Sequence, residues 1–262
     1  MLKKLMKYDF VRIEKVVCWA LLAVLVCAAA ARLSNYIYNE KTTMLWLIID
    51  KFVSTLTIIV MIGAMFLTFF RTAASFVRTV YGRQSYFTHT LPVERGTVFD
   101  AKVLCGMAMN LLTLFAVGAG AAIVFLTGDA AGMLKAAWKN QGGVYVLMGL
   151  TLALELLALV ACTYLGIVLG HRSNTKKIFF SVLYTIAVWY GVSAVLMGAE
   201  AVFYLANGNI AAFLSADTAT LTGPLPEELK LLLGIAACGY AVVIVVLYVI
   251  GRKLLVKGVN VD

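Results

Sequence analysis

The sequence predicts an all-α polytopic membrane protein: an N-terminal interfacial amphipathic helix followed by six transmembrane helices, with both termini cytoplasmic. Three observations predict it. Of 262 residues, 63% are hydrophobic and 13% charged, against a charged share of about 25% in soluble domains, so the surface must be apolar as well as the core. Six apolar runs approach or exceed the roughly 20 residues that a helix needs to cross the hydrocarbon. The Lys and Arg residues collect on one side of those runs, the side that positive charge marks as cytoplasmic. The same composition excludes intrinsic disorder, a collagen-like fibre and a disulfide-stapled scaffold.

Residues 1–15 carry Leu2, Leu5, Met6, Phe10 and Ile13 at helical spacing, with Lys3, Lys4, Lys7 and Lys15 mostly elsewhere. That spacing predicts a helix lying in the membrane interface, or simply a basic anchor for the span that follows. A basic start, an apolar run and Ala28-Ala29-Ala30-Ala31 also resemble a cleavable signal peptide. The opening segment is long for one and contains Asp9 and Glu14, which favours a retained helix.

The first span is expected at Val16 to Leu33. The second starts at Met44 or Phe52 and ends at Phe70, because Asp50 and Lys51 interrupt its beginning. The third, fourth, fifth and sixth are expected at Val103 to Thr127, Val144 to Gly170, Ile178 to Ala206 and Leu229 to Gly251. The fifth is longer than a bilayer requires, which predicts a tilt, a kink near Gly191 or Gly198, or an early end.

Sixteen of the 22 Lys and Arg residues then fall on one side: Lys3, Lys4, Lys7, Arg12 and Lys15; Arg71, Arg78, Arg83, Arg95 and Lys102; Arg172, Lys176 and Lys177; Arg252, Lys253 and Lys257. Six fall on the other: Arg32, Lys41, Lys51, Lys135, Lys139 and Lys230. The partition requires an even number of spans. It also gives the net charge of +9 a meaning: the excess faces anionic lipid and a cytoplasmic partner, not nucleic acid.

Two connections are long. Residues 71–102 form the cytoplasmic one, mixing basic, aromatic and polar residues with Pro92, and long loops are usually functional. Residues 207–228 form the outer one, in which residues 210–214 are expected on or in the outer leaflet before Pro224 and Pro226. There is no internal repeat and no linker, so residues 1–262 read as one membrane domain.

Cys18, Cys27, Cys105, Cys162 and Cys238 all lie in apolar runs without CxxC or zinc-type spacing and read as small core hydrophobes. No GxxxxGK[ST] occurs, so the chain has no phosphate-cradling loop of its own. Gly191-Val192-Ser193-Ala194 lacks the last glycine of a rhomboid-protease GxSG, and His89 and His171 are placed in or beside cytoplasmic loops, away from Ser193. No cofactor, metal or catalytic residue is therefore expected.

Two carboxyls remain at lipid depth, where a charge costs roughly 2.5–3.5 kcal/mol on insertion scales. Glu155 lies near the middle of the fourth span and shares a helix face with Thr151, Leu159 and Cys162. It is expected either protonated and hydrogen-bonded to a Thr or Tyr of another helix, or lining a hydrated path. Glu200 lies nearer the outer surface with Ser193 and Tyr204 and reads as a solvated vestibule residue. Gly166 and Gly170, and Ala116 and Gly120, are small pairs at the spacing of close helix contacts, either within the bundle or at a dimer face. Tyr36, Tyr38, Trp46, Trp138 and Tyr145 fit an outer aromatic belt.

The opening Met1-Leu2-Lys3-Lys4-Leu5-Met6-Lys7-Tyr8-Asp9-Phe10 is similar to the "MLxKLxKYEF" start of the permease subunits of type 2 ATP-binding-cassette transporters. Phe69-Phe70-Arg71 followed by Ser85-Tyr86-Phe87-Thr88-His89-Thr90-Leu91-Pro92-Val93 resembles that family's "RF…YLxxTLPV" segment. Lys102 resembles the lysine that opens its third span, and the tail from Lys253 to Asp262 its short basic end. His89, Val259 and Val261 depart from the pattern.

The resemblance implies two permeases, alike or different, paired around one pathway, and ATP hydrolysis in a separate cytoplasmic subunit. It implies an ATPase-docking element at Arg83, Tyr86, Phe87, Leu91, Pro92, Glu94 and Arg95, and re-entrant helices before the sixth span. Such a chain is not itself an enzyme; it is an exporter subunit of a bacterial cytoplasmic membrane. A non-transporting scaffold or sensor anchor, and a proton-coupled secondary transporter using Glu155, are the alternative readings.

Overall fold

The computed structural model describes residues 2–41, 43–82, 94–125, 128–173, 176–206 and 227–257. Six α-helices fill them: α1 (Leu2–Lys41), α2 (Met44–Val80), α3 (Arg95–Phe125), α4 (Gly128–Gly170), α5 (Lys177–Ala206) and α6 (Glu227–Val256). Each contains a stretch long and apolar enough to cross a membrane, and no strand occurs among the described residues. Helices are the expected answer, because lipid offers no partner to an unpaired backbone N–H or C=O. The chain is a multi-pass, all-α membrane protein.

Several helices are longer than their apolar runs. Residues 2–41 contain neither Gly nor Pro, and α1 passes without a break from the segment expected in the interface into the first span. The end of its apolar stripe is packed within the chain: Ile13, with Val17 one turn on, is buried against Cys105 and Met109 of α3, and Phe10 packs alongside. The start of α2 is settled at Met44, with Thr43 in extended backbone as its N-cap. Asp50 does not push this helix to the surface. It is 3% exposed and accepts a hydrogen bond from Ser34, so its polarity is satisfied inside the protein. At the other end α2 runs to Val80 and α3 begins at Arg95. Residues 71–80 and 95–102, expected as loop, are helical. Residues before the fourth span likewise belong to α4, and α5 is continuous through Gly191 and Gly198.

The chain forms two compact units, Met1–Lys135 and Ala136–Asp262. In the first, one stripe of α2 is buried: Asp50, Thr57, Met61, Ala64, Thr68, Thr72, Phe76 and Thr79, at steps of seven, three or four residues that keep it on one face. Its apolar middle packs with Val24 and Ala28 of α1, and Gly120 of α3 admits them: a Cβ there would stand 3.0 Å from Met61 Cε and 3.1 Å from Val24 Cγ1. Its polar members bond across the seam. Thr57 donates to the Cys27 carbonyl at 3.1 Å. Thr113 of α3 meets the Thr68 hydroxyl at 3.0 Å, and the Asn110 amide donates to Thr72 Oγ1 at 3.4 Å.

In the second unit, α4 is approached closely by α5. A Cβ on Gly166 would collide with Thr185 and one on Gly170 with the Ser181 backbone, so this pair serves packing within the chain. Gly239 of α6 is closed in the same way by Leu196 of α5. Thr151 donates to the Leu233 carbonyl at 3.4 Å, and Arg172 to the Leu254 carbonyl at 3.5 Å, joining α4 to α6. Of the cysteines, Cys105 and Cys162 are buried and Cys27 half-buried. Cys18 and Cys238 are exposed on their helices, so these two are not core residues: a small thiol is tolerated at a lipid-facing position as readily as in the interior.

Candidate functional site

The docking residues Arg83, Tyr86, Phe87, Leu91 and Pro92 lie outside the described residues. What carries them is described. At 1.5 Å per residue, the 37 residues of α2 measure about 55 Å, and the 31 of α3 about 46 Å. A hydrocarbon layer of about 30 Å leaves helix to spare on both. The ends flanking segment 83–93 pack against each other. Phe76 of α2 and Phe99 of α3, both essentially without exposure, meet edge to face with centroids 6.1 Å apart. Tyr81 stacks its edge on Phe76 at 6.3 Å. Val80 and Val98 are buried beside them. The backbone closes cleanly, since the N–H groups of Tyr81 and Gly82 both donate to the Val77 carbonyl, and those of Thr97 and Val98 to the Glu94 carbonyl. Glu94 and Arg95 themselves are exposed at the root of the segment. Segment 83–93 is thus flanked by two helix ends that pack against each other as a stem.

The stem is tied to α1. Lys102, in the third turn of α3, forms an ion pair with Asp9 of α1. Both are nearly buried, at 6% and 7% exposure. The Tyr8-Asp9-Phe10 start and Lys102 were each part of the family resemblance, and the fold brings them together.

The second candidate lies in the second unit. Along α4, Ala158 and residues 160–168 are buried, whereas none of residues 151–157 is. The α5-facing stripe of Gly166 and Gly170 leads, three turns back along α4, to Glu155. So α4 and α5 touch at the glycines and are less covered at the carboxylate. Glu155 is exposed, and no hydrogen bond joins it to the described side chains. Thr151 turns instead to the carbonyls of Leu147, at 2.8 Å, and Leu233. The antiparallel register fixed by Gly166 with Thr185 and Gly170 with Ser181 brings Glu200 level with Thr151, one turn from Glu155. Glu200 is half-buried.

Tyr240 of α6, not singled out from the sequence, lies within electrostatic reach of both Glu155 and Glu200. Three titratable groups from three helices therefore share one level to within about 10 Å, or two turns. The one sequence signal for Tyr240 is a phenol in the middle of the apolar run from Leu231 to Leu247. A third polar contact, at the far end of α4, also escaped the sequence reading. His171 is buried with Nδ1 2.9 Å from the Ile167 carbonyl and 3.3 Å from Ser181 Oγ.

The chain matches no protein-family model, no curated protein and no solved structure.

Proposed function

We propose that this chain is the membrane permease of an ATP-driven transporter of the type 2 ATP-binding-cassette kind, an exporter in a bacterial cytoplasmic membrane. ATP is hydrolysed by a separate subunit that docks on segment 83–93, and two permeases, alike or different, form the pathway. The observation that carries the reading is the stem. A segment whose residues resemble a docking element is held by two helices that outrun the bilayer and are locked by Phe76, Phe99, Val80 and Val98. A rigid lever is what converts closure of a docked ATPase into movement of spanning helices. Aromatic and apolar side chains at Tyr86, Phe87 and Leu91 supply the anchor, and Arg83, Glu94 and Arg95 a charged rim. The basic residues around them also face anionic lipid.

The test is capture of the detergent-solubilised chain from its own cells. A co-purifying subunit containing GxxxxGK[ST] is expected, and Tyr86→Ala combined with Leu91→Ala should abolish its capture while the permease stays membrane-inserted. Unchanged capture would count against the docking assignment.

A second reading, proton-coupled transport, is favoured by one observation: Glu155, Glu200 and Tyr240 converge on three helices. It predicts that Glu155→Gln removes activity in vesicles that contain no ATPase.

A further inference from the structure

Among the described residues only two buried side-chain oxygens lack a hydrogen-bond partner, Asp9 Oδ2 and Ser75 Oγ. Their positions are related. On the α1–α2 seam Ser34 bonds Asp50, and the Cys27 carbonyl takes the Thr57 hydroxyl. Seven residues back along α1 are therefore matched by seven forward along α2, as antiparallel packing requires. Eighteen further residues along each helix lead from Cys27 to Asp9 and from Thr57 to Ser75. Eighteen residues are five full turns, so Asp9 returns to the face of α1 that Cys27 occupies and Ser75 to the face of α2 that Thr57 occupies. By this register Asp9 and Ser75 fall at the same level of the α1–α2 seam, where Lys102 reaches Asp9 from α3.

We propose that Asp9, Lys102 and Ser75 form one polar joint between three helices, with Asp9 as the positioning residue that locks α1 to the base of the α2–α3 stem. One carboxylate oxygen holds the Lys102 ammonium; the other is the acceptor that a single water would link to the Ser75 hydroxyl. The choice of groups argues for a mechanical role. Apolar residues of similar volume are often as stabilising as a buried ion pair, whereas removing one partner is strongly destabilising. A chain that is 63% hydrophobic nevertheless keeps charge here. The pair is placed where it makes the stem and the N-terminal helix move as one body, so displacement of segment 83–93 reaches α1 without slippage. This role rests on the transporter reading above; the existence of the joint does not.

The experiment has two arms. In the first, thermal unfolding of the purified chain in detergent is followed for Ser75→Ala, Asp9→Asn and the double variant, and for Lys102→Met with and without Asp9→Leu. Lys102→Met should lower Tm by at least about 5 °C, as expected for an uncompensated buried charge. Asp9→Leu with Lys102→Met should recover most of that loss. Ser75→Ala should lower Tm only when Asp9 is present. Additive effects of Ser75→Ala and Asp9→Asn would overturn the joint.

The second arm uses the complex with its ATPase. Cys18, Cys27 and Cys238 are replaced by Ser, and spin labels are set at the exposed positions 8 on α1 and 78 on α2. With Asp9 and Lys102 in place, the distance between labels should be the same with and without ATP. In the Asp9→Leu, Lys102→Met double variant it should change on ATP addition. A distance that already changes with Asp9 and Lys102 present overturns the locking role. If ATP moves no label pair in any variant, including one spanning segment 83–93, the transporter reading fails, and the first arm still decides the joint.

Discussion

In the Met1–Lys135 unit the apolar helix seams are crossed by hydroxyls, an amide and an ion pair; in the Ala136–Asp262 unit the closest helix approach is at glycines. Thr57, Thr68, Thr72, Asn110 and Thr113 line the inside of the first unit, each also bonded to its own helix at the preceding turn. In the second, Gly166, Gly170 and Gly239 admit neighbouring side chains and backbone, and the acidic side chains Glu155 and Glu200 are not buried. Lipid tails give no hydrophobic drive for helices to associate, which leaves polar bonds and close van der Waals contact as the two ways to hold them. The first tolerates little sliding, because each hydroxyl has one register. Glycine contact depends on shape alone, and it frees polar groups for solvent or ligand. In the transporter proposed above, the stem would draw on the former and a pathway on the latter.

The sharpest way to break the contrast is Gly166→Val with Gly170→Val. Each new side chain meets backbone, which cannot rotate away, so a loss of about 3 kcal/mol or more is expected, read as aggregation or a collapsed Tm in detergent, with α4 and α5 parted. A smaller change acts at the α4–α5 connection. Lys176 has φ +48°, a left-handed conformation that costs a side-chain-bearing residue about 1 kcal/mol. Lys176→Gly should raise stability by that order, measured by chemical unfolding. Thr68→Val and Thr113→Val probe the other unit. Each should cost roughly 0.6 kcal/mol, and a double-mutant cycle should find them coupled; independent effects would mean that the hydroxyl contact contributes nothing across the seam. Least of all, Glu155→Gln should leave stability within about 0.5 kcal/mol of the parent, since no described hydrogen bond is lost. A clear change in transport with unchanged Tm would mark Glu155 as a pathway residue.

Much of the fold was legible because burial in lipid writes itself into composition: each of the six apolar runs became a helix. Helix ends were less legible. Asp50 looked like an interruption because a sequence shows charge but not the Ser34 hydroxyl that receives it. The continuation of α2 to Val80 was hidden by Arg71 and Arg78, which are compatible with a helix leaving the membrane as well as with a loop. Lys102 was visible as a residue and Asp9 as an anomaly, but their pairing spans most of a hundred positions and follows from helix packing. Tyr240 gave no signal apart from its type, because its interest comes from two carboxylates on other helices.

By itself the sequence determined that the solvent is lipid and that the chain has six helices able to cross it, since these follow from transfer free energies summed over local segments. Only the tertiary structure decided that Asp50 is an internal acceptor, that Gly166 and Gly170 pack within the chain, and that Asp9 pairs with Lys102. Those facts depend on the register between helices, which is set by many weak contacts acting together and leaves no mark on any one stretch of residues.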